Sequence, residues 1–237
     1  ERVYCSQVIP SGFSSAAPPL RTHEVLAPVS VHPLRPGVEV YDLGQNTALI
    51  PRLQVRGSAG ATVKITPSEL LAADGSINRN STHGGETEST WNYTLSGNPA
   101  GENWTPRFFY HGARYLQVER TAPAGAALPV VEKLEGLVFH TSSPAAGHFA
   151  CSNELFNRIE QLIRWAQRSN LVSVITDCPH RERLGWLEQY HLNGPSLRYE
   201  FDLTRLYAKT FGDMTDAQRP NGLVPSIAPE YVRFSGG

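Results

Sequence analysis

Between residues 37 and 147, apolar and polar side chains alternate in short runs: Val38–Tyr41, Leu49–Arg56, Ala61–Ile65, Thr90–Leu95, Arg114–Glu119 and Leu134–His140. A period of two puts one set of side chains on a buried face, and the breaks between runs carry turn residues. Gly57, Gly60, Asp74, Gly75, Gly84, Gly85, Pro123 and Gly125 supply them. Short antiparallel strands joined by Gly/Pro turns predict a β-sandwich over residues 37–147. Residues 1–36 are Pro-rich and weakly patterned, and read as the tail of an upstream segment.

Past Ala150 the period changes. Leu155, Ile159, Leu162, Ile163 and Ala166 recur at helical spacing, with Ser152 placed as N-cap and Glu154 in the first turn. A second helix is expected from about Pro195 to Gly212, with Leu197, Phe201, Leu206, Tyr207 and Phe211 as its apolar positions. Two such helices cannot bury their faces alone, so residues 148–237 read as the N-terminal part of a larger helical domain. Proline follows the same division: 13 of the 18 lie in residues 1–150. The fold class is therefore multidomain, β followed by α.

Charge removes some function classes. With 21 Lys+Arg against 22 Asp+Glu, the chain has no overall field to draw nucleic acid or an anionic membrane surface. No run approaches the ~18 apolar residues of a membrane helix, so no membrane span is expected. Cys5, Cys151 and Cys178 are widely spaced with no C-x-x-C pair, which predicts reduced thiols and no metal site. No phosphate-binding Gly-rich loop or Ser nucleophile elbow occurs, and no cofactor is called for. N-glycosylation triplets start at Asn80, Asn92 and Asn103. The chain opens at Glu1 and its one Met is Met214, which reads as an internal stretch of a longer protein.

The densest chemistry lies between the helices. Asp177, Glu182 and Glu188 fall within twelve residues, interleaved with His180, Arg181, Arg183 and Trp186. Pro179 biases Cys178 away from helix, so the segment is expected to be a loop. A glycosidase uses these types: a carboxylic acid to protonate the leaving oxygen, a second carboxylate, and an aromatic wall against the sugar. Apolar neighbours such as Leu184 and Trp186 would raise a carboxyl pKa and the arginines would lower it. The residues alone leave a second reading open, a solvated linker of weakly paired charges with Trp186 in the core. His111 reads as a hydrogen-bonded core residue, while His191 is near the site by sequence and is explained equally well by helix packing.

Asp177–Trp186 resembles the signature of the bacterial α-L-rhamnosidases, glycoside hydrolase family 78, whose usual form is T-D-C-P-Q-R-D-E-R-L-G-W-T-G-D. Other motifs follow in order: Tyr41–Asn46 is similar to Y-D-F-G-Q-N, Glu69–Leu71 to E-x-L, and Trp91–Gly97 to D-x-Y-x-L-x-G. Pro106–Tyr115 resembles P-x-F-x-x-H-G-F-R-Y, and Cys151–Asn157 resembles C-S-N-x-L-x-N. The resemblance implies a β-sandwich followed by the first helices of an (α/α)6 barrel, and inverting hydrolysis of terminal, non-reducing α-L-rhamnose. It places the general acid on Glu182, a grip on sugar hydroxyls on Asp177, and the pocket lining on Arg181 and Trp186. Carboxylate and guanidinium fix hydroxyls while an aromatic ring covers the apolar sugar face.

This chain departs from the pattern in two places. His180-Arg181-Glu182 stands where the family has Q-R-D-E, so one acidic residue is missing. Trp186 is followed by Leu187-Glu188, so Glu188 is the candidate for the later Asp, although one residue of displacement turns a helical side chain by about 100°. The family's catalytic base is a Glu downstream of this chain, and Glu230 is not assigned that role. The expected partner is a rhamnosylated glycan or glycoside, with no nucleic acid, and the expected location is periplasmic or secreted. Two alternatives remain: a non-catalytic carbohydrate-binding or structural sandwich module, or a related (α/α)6 glycosidase with another sugar specificity.

Overall fold

A computed structural model describes residues 17–80 and 89–233. Ten strands come first: β1 Leu20–Leu26, β2 Ser30–Arg35, β3 Val38–Arg56, β4 Thr62–Ser68, β5 Leu70–Leu71, β6 Ile77–Asn78, β7 Trp91–Thr94, β8 Glu102–Trp104, β9 His111–Thr121 and β10 Val130–Thr141. Helices α1 Glu154–Ser169, α2 Gln189–Leu192, α3 Gly194–Glu200 and α4 Thr204–Ala217 follow. The expected order, β then α, holds. The turn expected at Gly84 and Gly85 lies outside the described residues, as does Cys5.

Eight strands form one curled antiparallel sheet in the order β1-β10-β3-β9-β4-β7, with β2 and β8 also paired to β3. The runs at 38–41 and 49–56 are a single strand, β3, with an irregular step against β9 between Asp42 and Thr47. Gly44 sits there at φ 77° and donates its N–H to Asp42 Oδ1 at 2.7 Å. Arg114 of β9 grips both oxygens of Asp42 at 2.8 Å and holds that carboxyl below its ordinary range. An irregular step of this kind bends a strand and strengthens its twist. Alternate inward residues, among them Leu49, Leu53, Val63, Ile65, Trp91, Leu116, Val118 and Leu134, enclose one core.

Residues 20–35 are not a tail. Leu20–Leu26 runs antiparallel to β10 and Ser30–Arg35 to β3. Both strands lie on edges and expose most side chains, so neither needs the alternation that marks a half-buried strand. Pro33 sits next to a register shift, where a strand tolerates a missing N–H.

The helical part differs from expectation in detail. The N-cap of α1 is Asn153, not Ser152; its Oδ1 accepts Leu155 N–H at 3.0 Å. The expected second helix is two helices, α3 and α4, broken at Phe201. That residue is extended, 4% exposed and bridged to Ala145. Leu171, Ile175, Leu197, Phe201, Leu203 and Leu206 make a second, small core. The apolar stripe of α1 takes no part in it: Leu155, Ile159, Leu162 and Ile163 are exposed among the described residues.

Helix α1 meets the sheet through polar groups at its C-terminal end. Ser169 Oγ accepts Ala48 N–H at 3.2 Å, and Arg168 Nε donates to His140 Nε2 at 3.1 Å. His140 and His111 are buried, and their Nδ1–H groups donate to the carbonyls of Thr141 (2.8 Å) and Gly112 (2.7 Å). Burial pushes His111 down to about 3 and His140 down to about 4, while those carbonyls work the other way. The unfolded chain binds both protons near the ordinary value of ~6.5, whereas the native state binds them only far lower. The stabilisation is therefore complete above about pH 6.5 and is lost as pH falls toward 4. Denaturant unfolding at a series of pH values should show stability dropping through that window by up to about 1.4 kcal/mol per pH unit for each histidine. His111→Gln, though less stable at pH 7.5, should give a shallower fall; an unchanged profile would contradict the burial argument.

Candidate active site

The loop from Leu171 to Glu188 leaves the end of α1 and is tied down at several points. Thr176 N–H and Oγ1–H donate to Asn170 O and Oδ1, each at 2.9 Å, which fixes the loop to the α1 C-cap. Thr141 N–H donates to Leu171 O at 2.7 Å, and Ile175 N–H to Tyr190 Oη at 3.2 Å.

The sheet carries the loop. Gly112 N–H donates to Pro179 O at 2.8 Å, and a Cβ on Gly112 would stand 2.6 Å from Pro179 Cγ. A rigid proline ring cannot yield as a flexible side chain would, so only glycine fits here. Arg183 is left-handed at φ 55° and lays its guanidinium over Phe109 and Tyr110, 5.2 and 6.0 Å from their ring centres. Burial pushes the Tyr110 hydroxyl up to about 12. His180 Nδ1 lies 3.6 Å from Glu69 Oε1, which also accepts Asn46 Nδ2–H at 2.9 Å. Residues from motifs far apart in sequence thus gather under one loop. Gly112→Ala should lower kcat/KM about tenfold or more through misplacement of the loop. It should also cost about 1–3 kcal/mol of stability through overpacking. Wild-type kinetics and melting would contradict this close approach.

Within the loop, Glu182 is solvent-facing, with 41% of its side chain exposed. Its Oε2 accepts Trp186 Nε1–H at 2.8 Å, and Arg181 Nη2 stands 3.8 Å from Oε1. Asp177 accepts Leu184 N–H on Oδ1 at 3.2 Å and the Cys178 thiol on Oδ2 at 2.8 Å. It lines a cleft of about 260 Å³ with Asn170, Gln189 and Asn193. Cys178 Sγ in turn accepts Glu182 N–H at 3.3 Å. Gly185 O accepts Ala228 N–H at 3.1 Å, and Trp186 pairs with Ile227, so residues 226–228 brace the far side of the loop.

Arg181 and Trp186 therefore each meet the Glu182 carboxylate, and Asp177 is joined to the Glu182 backbone through Cys178. Glu188 does not join this contact set; it starts α2 with helical dihedrals, an exposed position and no side-chain cap bond. Glu230 faces Arg219 at 3.5 Å and Arg233 at 3.7 Å. His111 is a core residue, as expected, and His191 is exposed on α2. Cys151 and Cys178 are free thiols. Among the described residues no His/Cys/Asp/Glu group has metal-binding geometry, and no helix is long and apolar enough to cross a membrane. Sequence reasoning missed Gly112, Arg183 and Cys178 as parts of the site. The H-G motif around Gly112 marked the place without revealing what it touches.

An exposed carboxyl steadied by an indole N–H, beside a guanidinium and a second carboxylate, can donate a proton to one oxygen while neighbouring groups hold hydroxyls. Comparison with known proteins points to one family. The family model for the bacterial alpha-L-rhamnosidase concanavalin-like domain matches residues 32–140. The model for the bacterial alpha-L-rhamnosidase 6 hairpin glycosidase domain matches residues 144–237. An alpha-L-rhamnosidase of Streptomyces avermitilis is 36% identical over 220 residues, covering 92% of this chain and 21% of that protein. One from Formosa agariphila is 28% identical, covering 84% of this chain and 21% of its own. The chain thus spans about a fifth of the length of the curated relatives it matches. Among solved structures, an alpha-L-rhamnosidase from Dictyoglumus thermophilum superposes with a TM-score of 0.84 at 35% identity, covering 95% of this chain and 25% of that one. The Streptomyces avermitilis enzyme complexed with L-rhamnose gives 0.80 at 35% identity, covering 91% and 20%. With one family's models matched in order over the sheet and the helices, the chain belongs to the bacterial α-L-rhamnosidases.

Proposed function

We propose that this chain carries the acid side of an active site that hydrolyses terminal, non-reducing α-L-rhamnose from glycans or glycosides with inversion. Glu182 is the general acid: its carboxyl gives its proton to the glycosidic oxygen as the bond to the sugar breaks. Trp186 keeps that carboxyl aimed through its indole N–H and offers its ring to the apolar sugar face. Asp177 and Arg181 hold sugar hydroxyls, and Glu188 is left for a more distant hydroxyl or the leaving group. A second carboxylate, roughly 6.5–9.5 Å from Glu182 in an inverting site, activates the attacking water. Glu230, which faces two arginines, is not given that role.

The observation that carries the reading is the 2.8 Å bond from Trp186 Nε1 to Glu182 Oε2, on a loop whose Asp177 carboxylate is joined to the same turn. A solvated linker has no reason to fix an exposed carboxylate in this way. The rhamnose-bound relative supports the choice of sugar. The test is a screen of the full-length protein against p-nitrophenyl α-L-rhamnoside and the matching arabinosides, fucosides and mannosides. Preference for the rhamnoside, with the β-anomer of rhamnose released first and seen by NMR, is the expected result. Preference for another sugar would keep the hydrolase and discard the specificity; no turnover of any of them would favour a binding module.

A further inference from the structure

We infer that Cys178 is a positioning residue that holds Asp177 and Glu182 in one frame through its thiol. The inference rests on the reading of those two carboxylates given above. Cys178 is 9% exposed and sits inside the turn it begins. Its S–H donates to Asp177 Oδ2 at 2.8 Å, and its sulfur accepts the N–H of Glu182 at 3.3 Å. Arg183 N–H faces the same sulfur. Only a side chain that both donates and accepts can link a carboxylate on one side to a backbone N–H on the other, and a thiol does both. Burial, together with the bond to Asp177, pushes the thiol pKa up, so at neutral pH the donated proton is in place.

The consequence for the site is geometric. Leu184 N–H occupies Asp177 Oδ1 and the thiol occupies Oδ2, so the carboxylate plane is fixed while each oxygen keeps a lone pair for a sugar hydroxyl. The same sulfur sets where the backbone of Glu182 begins, and hence the separation between the acid and the group that grips the sugar. Catalysis is sensitive to such placement, since about 1 Å of error can cost about a hundredfold.

The thiol differs from a space-filling apolar side chain in one testable respect. Serine keeps a donor and acceptor in smaller volume, valine fills the volume with neither, and alanine does neither. In the full-length protein, assayed on an alkyl α-L-rhamnoside, Cys178→Val and Cys178→Ala should each lose about 10–10²-fold in kcat/KM. Cys178→Ser should return to within about fivefold of wild type, the worth of one ordinary hydrogen bond. A second readout uses no variant at 178: the infrared S–H stretch of Cys178 should lie below that of a free thiol and rise in Asp177→Asn. Valine as active as serine, or an S–H band indifferent to Asp177→Asn, overturns the positioning role. The infrared result decides the matter if the valine and alanine variants do not fold. Asp177→Asn and Glu182→Gln in the same assay separate the two levels. If both keep full activity, the functional reading falls and takes this inference with it. If both lose activity while Cys178→Val does not, only the positioning role fails.

Discussion

Glu182→Gln should lower kcat on an alkyl rhamnoside by about 10²–10⁴-fold, the size of general acid catalysis by a placed carboxyl. The substitution suits the question because it removes little else. A Gln carbonyl can still accept the Trp186 indole N–H, so the loop keeps its geometry. The side chain is 41% exposed, so the fold should not depend on its charge. Steady-state kinetics beside a thermal melt separate the two: activity should collapse while the melting temperature stays within a degree or two of wild type. A parallel fall in both would make Glu182 a structural residue.

Asp177→Asn should have the next largest effect, a loss of about 10²–10³-fold in kcat/KM. That is the worth of about two hydrogen bonds from sugar hydroxyls to a charged acceptor. Asn can still accept Leu184 N–H on its carbonyl, but its NH₂ would then face the Cys178 thiol and deprive the S–H of its acceptor. The loss should therefore appear in KM as well as kcat, because both sugar binding and the placement of Glu182 suffer. An effect confined to thermal stability would return Asp177 to a purely structural role.

Legibility of the fold in the sequence followed burial. Val38–Tyr41, Leu49–Arg56 and Arg114–Glu119 have one face in the core, so alternation revealed them, although not that the first two are one strand bent at Gly44. β1 and β2 expose nearly all their side chains, so their ladders left no pattern to read. The stripe of α1 was plain in its spacing, yet its side chains are exposed here, because periodicity marks a face and not what covers it. The break between α3 and α4 depends on Phe201 docking beside Ala145, a long-range contact that local propensity cannot foresee.

The candidate site was legible to a similar degree. Residue types and order pointed to Asp177, Glu182 and Trp186. The contact between Glu182 and Trp186 forms across a turn and a left-handed Arg183, so helical spacing does not account for it. Gly112 and Pro179 meet only once the sheet is folded, and a lone thiol such as Cys178 carries no spacing signature. Glu188, in the same neighbourhood by sequence, stands at the start of α2 with an exposed side chain that makes no cap bond.

The most direct test of Glu182 as general acid is the dependence of its replacement on the leaving group. p-Nitrophenolate departs without being protonated, whereas an alkoxide must receive a proton as it leaves. Wild-type and Glu182→Gln full-length proteins should be compared on p-nitrophenyl α-L-rhamnoside and on an alkyl α-L-rhamnoside. The expected result is a loss at least about tenfold larger on the alkyl rhamnoside. Equal losses on the two substrates, or none on either, would contradict the assignment of Glu182.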